Sequence, residues 1–135
     1  FSLRLIRWYY LKSRDPENLL RLINHSNEQI RLEAYKTIVE LRIRGVDDIF
    51  RYYYLNETPA VKKVMIDYFV ERKNLRKTMY REILEIETDN EMLFYLLESF
   101  YNQSLNNQQE LRDLRDQTDY LSIRSMCHHI IENAS

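Results

Sequence analysis

The sequence predicts an all-α fold assembled from about four consecutive helix pairs, and three observations predict it. The first is a shortage of turn formers: 135 residues include one glycine, Gly45, and two prolines, Pro16 and Pro59. Sheet hairpins and phosphate-cradling loops both draw on several glycines, so neither can be built here in quantity. The second is composition. Hydrophobic residues make up 44% and charged residues 30% of the chain, which suits a globular domain that buries a core. The third is an apolar pattern that returns every 31 residues, the mark of a repeat architecture.

The repeat is clearest in the second helix of each pair, helix B. Segments beginning at Ile30, Val61, Met92 and Ile123 superpose in their apolar positions. Ala34, Met65, Leu96 and Cys127 share the next position, and Ile38, Phe69, Phe100 and Ile131 a third. Spacing of i, i+4, i+8 is the stripe of an amphipathic helix. Ahead of each segment stands a helix-start residue: Asn27, Thr58 and Asp89, with Pro59 in a first turn where its missing N–H is harmless. Ser26–Gln29 and Thr88–Glu91 also have capping-box spacing one residue earlier. In the fourth unit the expected cap is Asp119 or Thr118, a small slip.

A first helix, helix A, precedes each of these. Asp15-Pro16-Glu17 opens the first, ahead of Leu19, Leu20, Leu22 and Ile23. Asp47-Asp48 opens the second, and Tyr80, Ile83, Leu84 and Ile86 mark the third. Leu111 and Leu114 mark a fourth that looks thinner and more polar, in the manner of a capping or loosened unit. The expected division is a single domain over 1–135: a helix over 1–13, then repeats at about 15–44, 47–75, 78–105 and 108–134. No pair can bury its own stripe, whereas stacked pairs bury a continuous core.

Ile30-Arg31-Leu32-Glu33-Ala34, followed by Ile38 and Leu41, resembles the opening of helix B in HEAT-like repeats of the phycobilisome-lyase type. The last unit keeps Ile123-Arg124 and Cys127, while the middle two depart, with Lys62 and Leu93 in place of the arginine and Met65 and Leu96 in place of the alanine. The resemblance implies a right-handed α-solenoid and a habit of protein–protein binding, without an activity. It also implies that the B helices line the concave surface. One step round from the core stripe, that surface would present Tyr35, Ile66, Leu97 and His128, with Val39, Val70, Tyr101 and Glu132 beside them. A third row is Arg31, Lys62, Leu93 and Arg124. Exposed together, such residues form an interaction patch for a peptide or protein. The competing reading packs them between neighbouring helices, most readily Val39, Ile66 and Val70, whereas Tyr35, Leu97 and Tyr101 are expected to be partly exposed.

Charge is sorted along the pattern. Turns from helix B to the next helix A hold Arg42, Arg44, Arg72, Lys73, Arg76 and Lys77, and turns from A to B hold Glu28, Glu57, Glu87, Asp89, Glu91, Asp116 and Asp119. Helix dipoles alone would sort most of these residues. The alternative function is a basic edge that meets nucleic acid, an anionic membrane surface or an acidic partner. A third reading is a structural spacer within a longer array. Net charge is −1, so no global field draws in nucleic acid, and such a partner is not expected.

Nothing points to catalysis, a metal or a cofactor. Cys127 and His128 are adjacent, about 100° apart on a helix, and Cys127 falls on the core stripe. His128 and Glu132 have i, i+4 spacing but offer two ligands only. Helical-repeat DNA glycosylases share the architecture, yet the mixed-charge groove here and the lone Trp8 do not match a basic DNA-holding cleft. Tyr52-Tyr53-Tyr54 cannot share a helix face, so at least one is expected inside and one outside. The stretch FSLRLIRWYYLKSR is apolar, aromatic and basic without an acid. It reads either as the cytoplasmic end of an upstream membrane helix or as the last helix of a preceding repeat. The chain, opening at Phe1, is expected to be a piece of a longer one. The lone Cys127 fits a reducing cytoplasmic setting, at the inner face of a membrane if a tether precedes it.

Overall fold

The computed structural model describes residues 16–72 and 76–134, with Pro16 and Arg76 described by their backbone alone. The helix expected over 1–13, the opening at Asp15 and the basic-edge residue Lys73 lie outside the described residues, as does the side chain of Arg76. Everything described is helix or turn. The A helices are α1 (Pro16–Arg21), α3 (Asp47–Tyr53), α5 (Arg76–Ile86) and α7 (Leu105–Gln117). The B helices are α2 (Glu28–Glu40), α4 (Pro59–Glu71), α6 (Asn90–Tyr101) and α8 (Leu121–Asn133). B helices thus start at 28, 59, 90 and 121, the 31-residue step of the sequence pattern. The first two A helices end in single 3-10 turns, Leu22–Asn24 and Tyr54–Asn56.

Local chemistry explains these starts. Asn27 Oδ1 accepts from the amides of Gln29 and Ile30 at 2.8 and 3.2 Å, and Asp89 Oδ1 from those of Glu91 and Met92 at 2.8 and 3.2 Å. Each satisfies amides that a first helical turn leaves unpaired. The caps are therefore Asn27 and Asp89, one residue after the capping-box candidates Ser26 and Thr88. The slip expected in the fourth pair does not occur: α8 starts in register, behind Tyr120, which supplies no side-chain cap. The fourth A helix also differs from expectation. It begins at Leu105, capped by Ser104 Oγ on the Asn107 amide at 3.2 Å, and spans 13 residues. Asn107 anchors it further by donating to the Phe100 carbonyl at 2.8 Å.

A second device shapes the A-to-B turns. Two residues before the B-helix cap, His25 Nδ1 accepts from the Asn27 amide at 3.0 Å, Glu87 Oε2 from the Asp89 amide at 3.4 Å, and Thr118 Oγ1 from the Tyr120 amide at 3.2 Å. These three lie on the repeat register. The second pair uses a neighbour instead, with Glu57 Oε1 accepting from the Thr58 amide at 3.3 Å.

Contacts divide the chain into two compact units, one ending at Met65 and one starting at Ile66, so the boundary falls inside α4. In the first, α2 packs on α1 and on the 3-10 turn that follows it. Its core includes Leu19, Ile23, Ala34, Ile38, Phe50, Val61 and Met65, all buried. In the second, α6 lies against α5, α7 and α8, and α7 pairs with α8. There Met92, Leu96, Phe100, Leu111 and Cys127 are buried, and the Tyr80 ring stacks on Phe100 with centroids 3.9 Å apart.

The stripe is inside at every ladder position but two, since Ile30 at the start of α2 is half-buried. Ile131 is half-buried as well, and Ile130 goes in instead.

Candidate functional site

The row expected to line a binding groove faces inward. Tyr35, Ile66 and Leu97 are fully buried, Tyr101 nearly so, and of the three rows only His128, Glu132 and Arg124 are exposed. The apolar stripe is wide enough to include a position 100° from its centre, and a neighbouring helix covers it. Tyr35, for example, meets Phe50 edge to face at 5.2 Å. Tyr35, Ile66, Leu97 and Tyr101 therefore present no open surface.

The basic members of the third row are also occupied internally. Arg31 Nε donates to the Glu57 carboxylate at 3.1 Å, and its Nη1 to the carbonyls of His25 and Ser26 at 2.9 and 3.2 Å. Arg124 Nη2 donates to the Thr118 carbonyl at 2.6 Å. Both arginines reach six residues back, to the same register position, so they tie helix B to the turn before it. Lys62 is buried with its ammonium 5.0 Å from the centre of the Tyr54 ring. Leu93 is buried too.

The described basic-edge residues fall in both units. Arg42 and Arg44 are exposed in the first unit. In the second, the Arg72 guanidinium lies over the Tyr68 ring at 5.4 Å, and Lys77 pairs with Glu110 at 3.7 Å. Arg81 shares that carboxylate at 3.3 Å. Among Tyr52-Tyr53-Tyr54, Tyr52 is exposed and Tyr54 buried.

Cys127 is buried, and burial raises its thiol to about 11 despite the opposing pull of Arg115. Its neighbour His128 is exposed, so the two do not form a nucleophile–base pair.

What the second unit does offer is an open groove of about 580 Å³ at its A-to-B turns. Leu84 at the end of α5, Leu93 on α6, Leu114 on α7 and Ile123 on α8 supply an apolar floor. Glu85, Glu87, Thr88, Asn90, Tyr120 and Ser122 also line it. Glu87 is held in place, its Oε2 accepting from the Thr88 and Asp89 amides. Glu85 is exposed, and the Tyr120 ring is 70% exposed. Tyr120 sits in the cap position because Thr118 and Arg124 together fix the backbone beneath it. Sequence reasoning missed this site, since its walls are helix ends separated by up to 39 residues. The one available signal was the clustering of acids in the A-to-B turns.

No family model, curated protein or solved structure matches the chain. The fold itself defines the class: an all-helical protein whose helix pairs recur on a 31-residue step. No helix among the described residues is long and apolar enough to cross a membrane.

Proposed function

We propose that the chain is a non-catalytic protein-interaction scaffold, its helix pairs stacked as a right-handed HEAT-like α-solenoid. The recurrence of one helix pair carries this reading. B helices start every 31 residues, and Arg31 and Arg124 make the same bond to the turn six residues before them. A chain built by repetition offers side-by-side helix ends and open grooves rather than one enclosed cavity, which suits the capture of a peptide or protein segment. The buried thiol of Cys127, held protonated, argues against nucleophilic chemistry at the single cysteine. Pairing of Lys77 and Arg81 with Glu110, and of Arg72 with Tyr68, argues against a free cationic edge for nucleic acid.

Affinity capture tests the proposal, using the chain as bait in lysate of its native organism, with nuclease treatment and a high-salt wash. A protein retained in stoichiometric amount through both steps is the expected result. Recovery of nucleic acid alone, or of nothing after the salt wash, would refute it, because phosphate contacts weaken steeply with salt.

A further inference from the structure

Resting on the scaffold reading, we infer that the groove at the A-to-B turns of the third and fourth helix pairs docks a basic, apolar peptide segment. The segment places one or two large apolar side chains on the floor and a lysine or arginine against the acidic rim.

Shape comes first. Four apolar residues, each from a different helix, converge on a depression of about 580 Å³, within the ~300–1,000 Å³ typical of sites that take a small ligand or a few side chains. Leu93 and Ile123 are buried at its base, while Leu84 and Leu114 are partly open to solvent. Tyr120 projects beside them with most of its ring in water. An amphipathic ring at the lip of an apolar depression can lie over a bound side chain and keep its hydroxyl wet.

Charge then selects the occupant. The lining's two side chains charged at neutral pH, Glu85 and Glu87, are both acids. Glu85 is exposed and makes no ion pair among the described residues. Glu87 is only 7% exposed, and its carboxylate is oriented by two backbone amides. The exposed carboxylate of Glu85 beside an apolar floor favours a cationic residue flanked by apolar ones and repels an acidic segment. Two other surface depressions in this unit differ. Between α5 and α7 the cations Lys77 and Arg81 converge on Glu110. Alongside Leu121, Arg115 is engaged with Asp116 at 3.2 Å and Arg124 with the Thr118 carbonyl.

The test is to pan a phage-displayed random 12-residue peptide library against the full chain, then measure the selected peptides by fluorescence anisotropy. Enrichment of leucine, phenylalanine or tryptophan next to lysine or arginine is expected. Two exposed positions probe the groove without touching the core: Glu85→Lys reverses its rim charge, and Ser122→Trp fills it. Each should weaken binding about tenfold, equivalent to ~1.4 kcal/mol, while the circular dichroism and melting temperature stay those of the wild type. Acid-rich selected peptides, or binding indifferent to both variants, would overturn the groove assignment and leave the scaffold reading standing. A library that yields no binder would also overturn it. The scaffold reading itself is decided separately, by the lysate capture alone.

Discussion

Arg42 has a φ of 56°, the left-handed region that side chains with a Cβ rarely enter. The reason is how α2 ends. The Arg42 amide donates to the Val39 carbonyl and the Ile43 amide to the Ile38 carbonyl, each at 3.1 Å. This paired closure of a helix C-terminus puts its turning residue in the left-handed conformation and usually recruits glycine. Arg42→Gly should therefore stabilise the protein by about 1 kcal/mol, read as a higher urea midpoint at unchanged slope. Gly45, at φ 78° with open space around the position of a Cβ, predicts the opposite sign: Gly45→Ala should cost about 1 kcal/mol through backbone strain alone. The same scale holds the pH response of Cys127. Burial raises its thiol from 9.0 to about 11, so the protonated form is favoured by folding. Its contribution to stability is fully present below pH 9.0 and is lost as pH rises toward 11. Iodoacetamide should accordingly leave Cys127 unmodified in the folded protein at pH 8 and alkylate it in urea. Rapid labelling without denaturant would show that the thiol is not in the core.

Polar contacts at the turns add to the apolar packing between helices. Arg31 on α2 reaches both the turn before its own helix and Glu57 in the turn of the next pair. The carboxylate side chain is 5% exposed and the guanidinium side chain 18%, so solvent screens the pair only weakly. Glu57→Ala strands the arginine and should cost about 2 kcal/mol. The double variant with Arg31→Ala should be less destabilised than the sum of the two single ones, as a double-mutant cycle measured by chemical denaturation would show. Additive losses would mean that the two residues act separately. This arrangement also explains what could be read from the sequence and what could not. B-helix starts were legible because Asn27 and Asp89 cap them through local bonds and an amphipathic stripe follows. Arg31 and Arg124 looked like surface residues because a sequence shows charge without showing the carbonyls that receive it. Tyr35, Ile66 and Leu97 were ambiguous for a related reason. A residue one step off the stripe faces water or a neighbour according to where that neighbour lies, and no local signal encodes that. The groove was the least legible, being made by four helix ends that only the fold brings together.

At the scale of the whole chain, repetition has an energetic consequence beyond the positions of the helices. If the pairs form a quasi-one-dimensional array, as proposed, each pair is stabilised by itself and by its immediate neighbours, and a lesion in one should weaken that neighbourhood most. Leu96 is a suitable place to make such a lesion. It is fully buried on α6, the helix that touches α5, α7 and α8. Leu96→Ala removes apolar contacts and leaves space that the surroundings fill only in part, at a cost of about 3 kcal/mol. Hydrogen exchange followed by mass spectrometry locates where that cost is felt. Amides of α6, α7 and α8 should exchange roughly a hundredfold faster than in the wild type, whereas those of α2, on the far side of the unit boundary at Met65, should accelerate by much less. A uniform acceleration from α2 to α8 would instead mean that the chain opens only as one cooperative body. The repeat would then describe how the sequence is written but not how its stability is distributed.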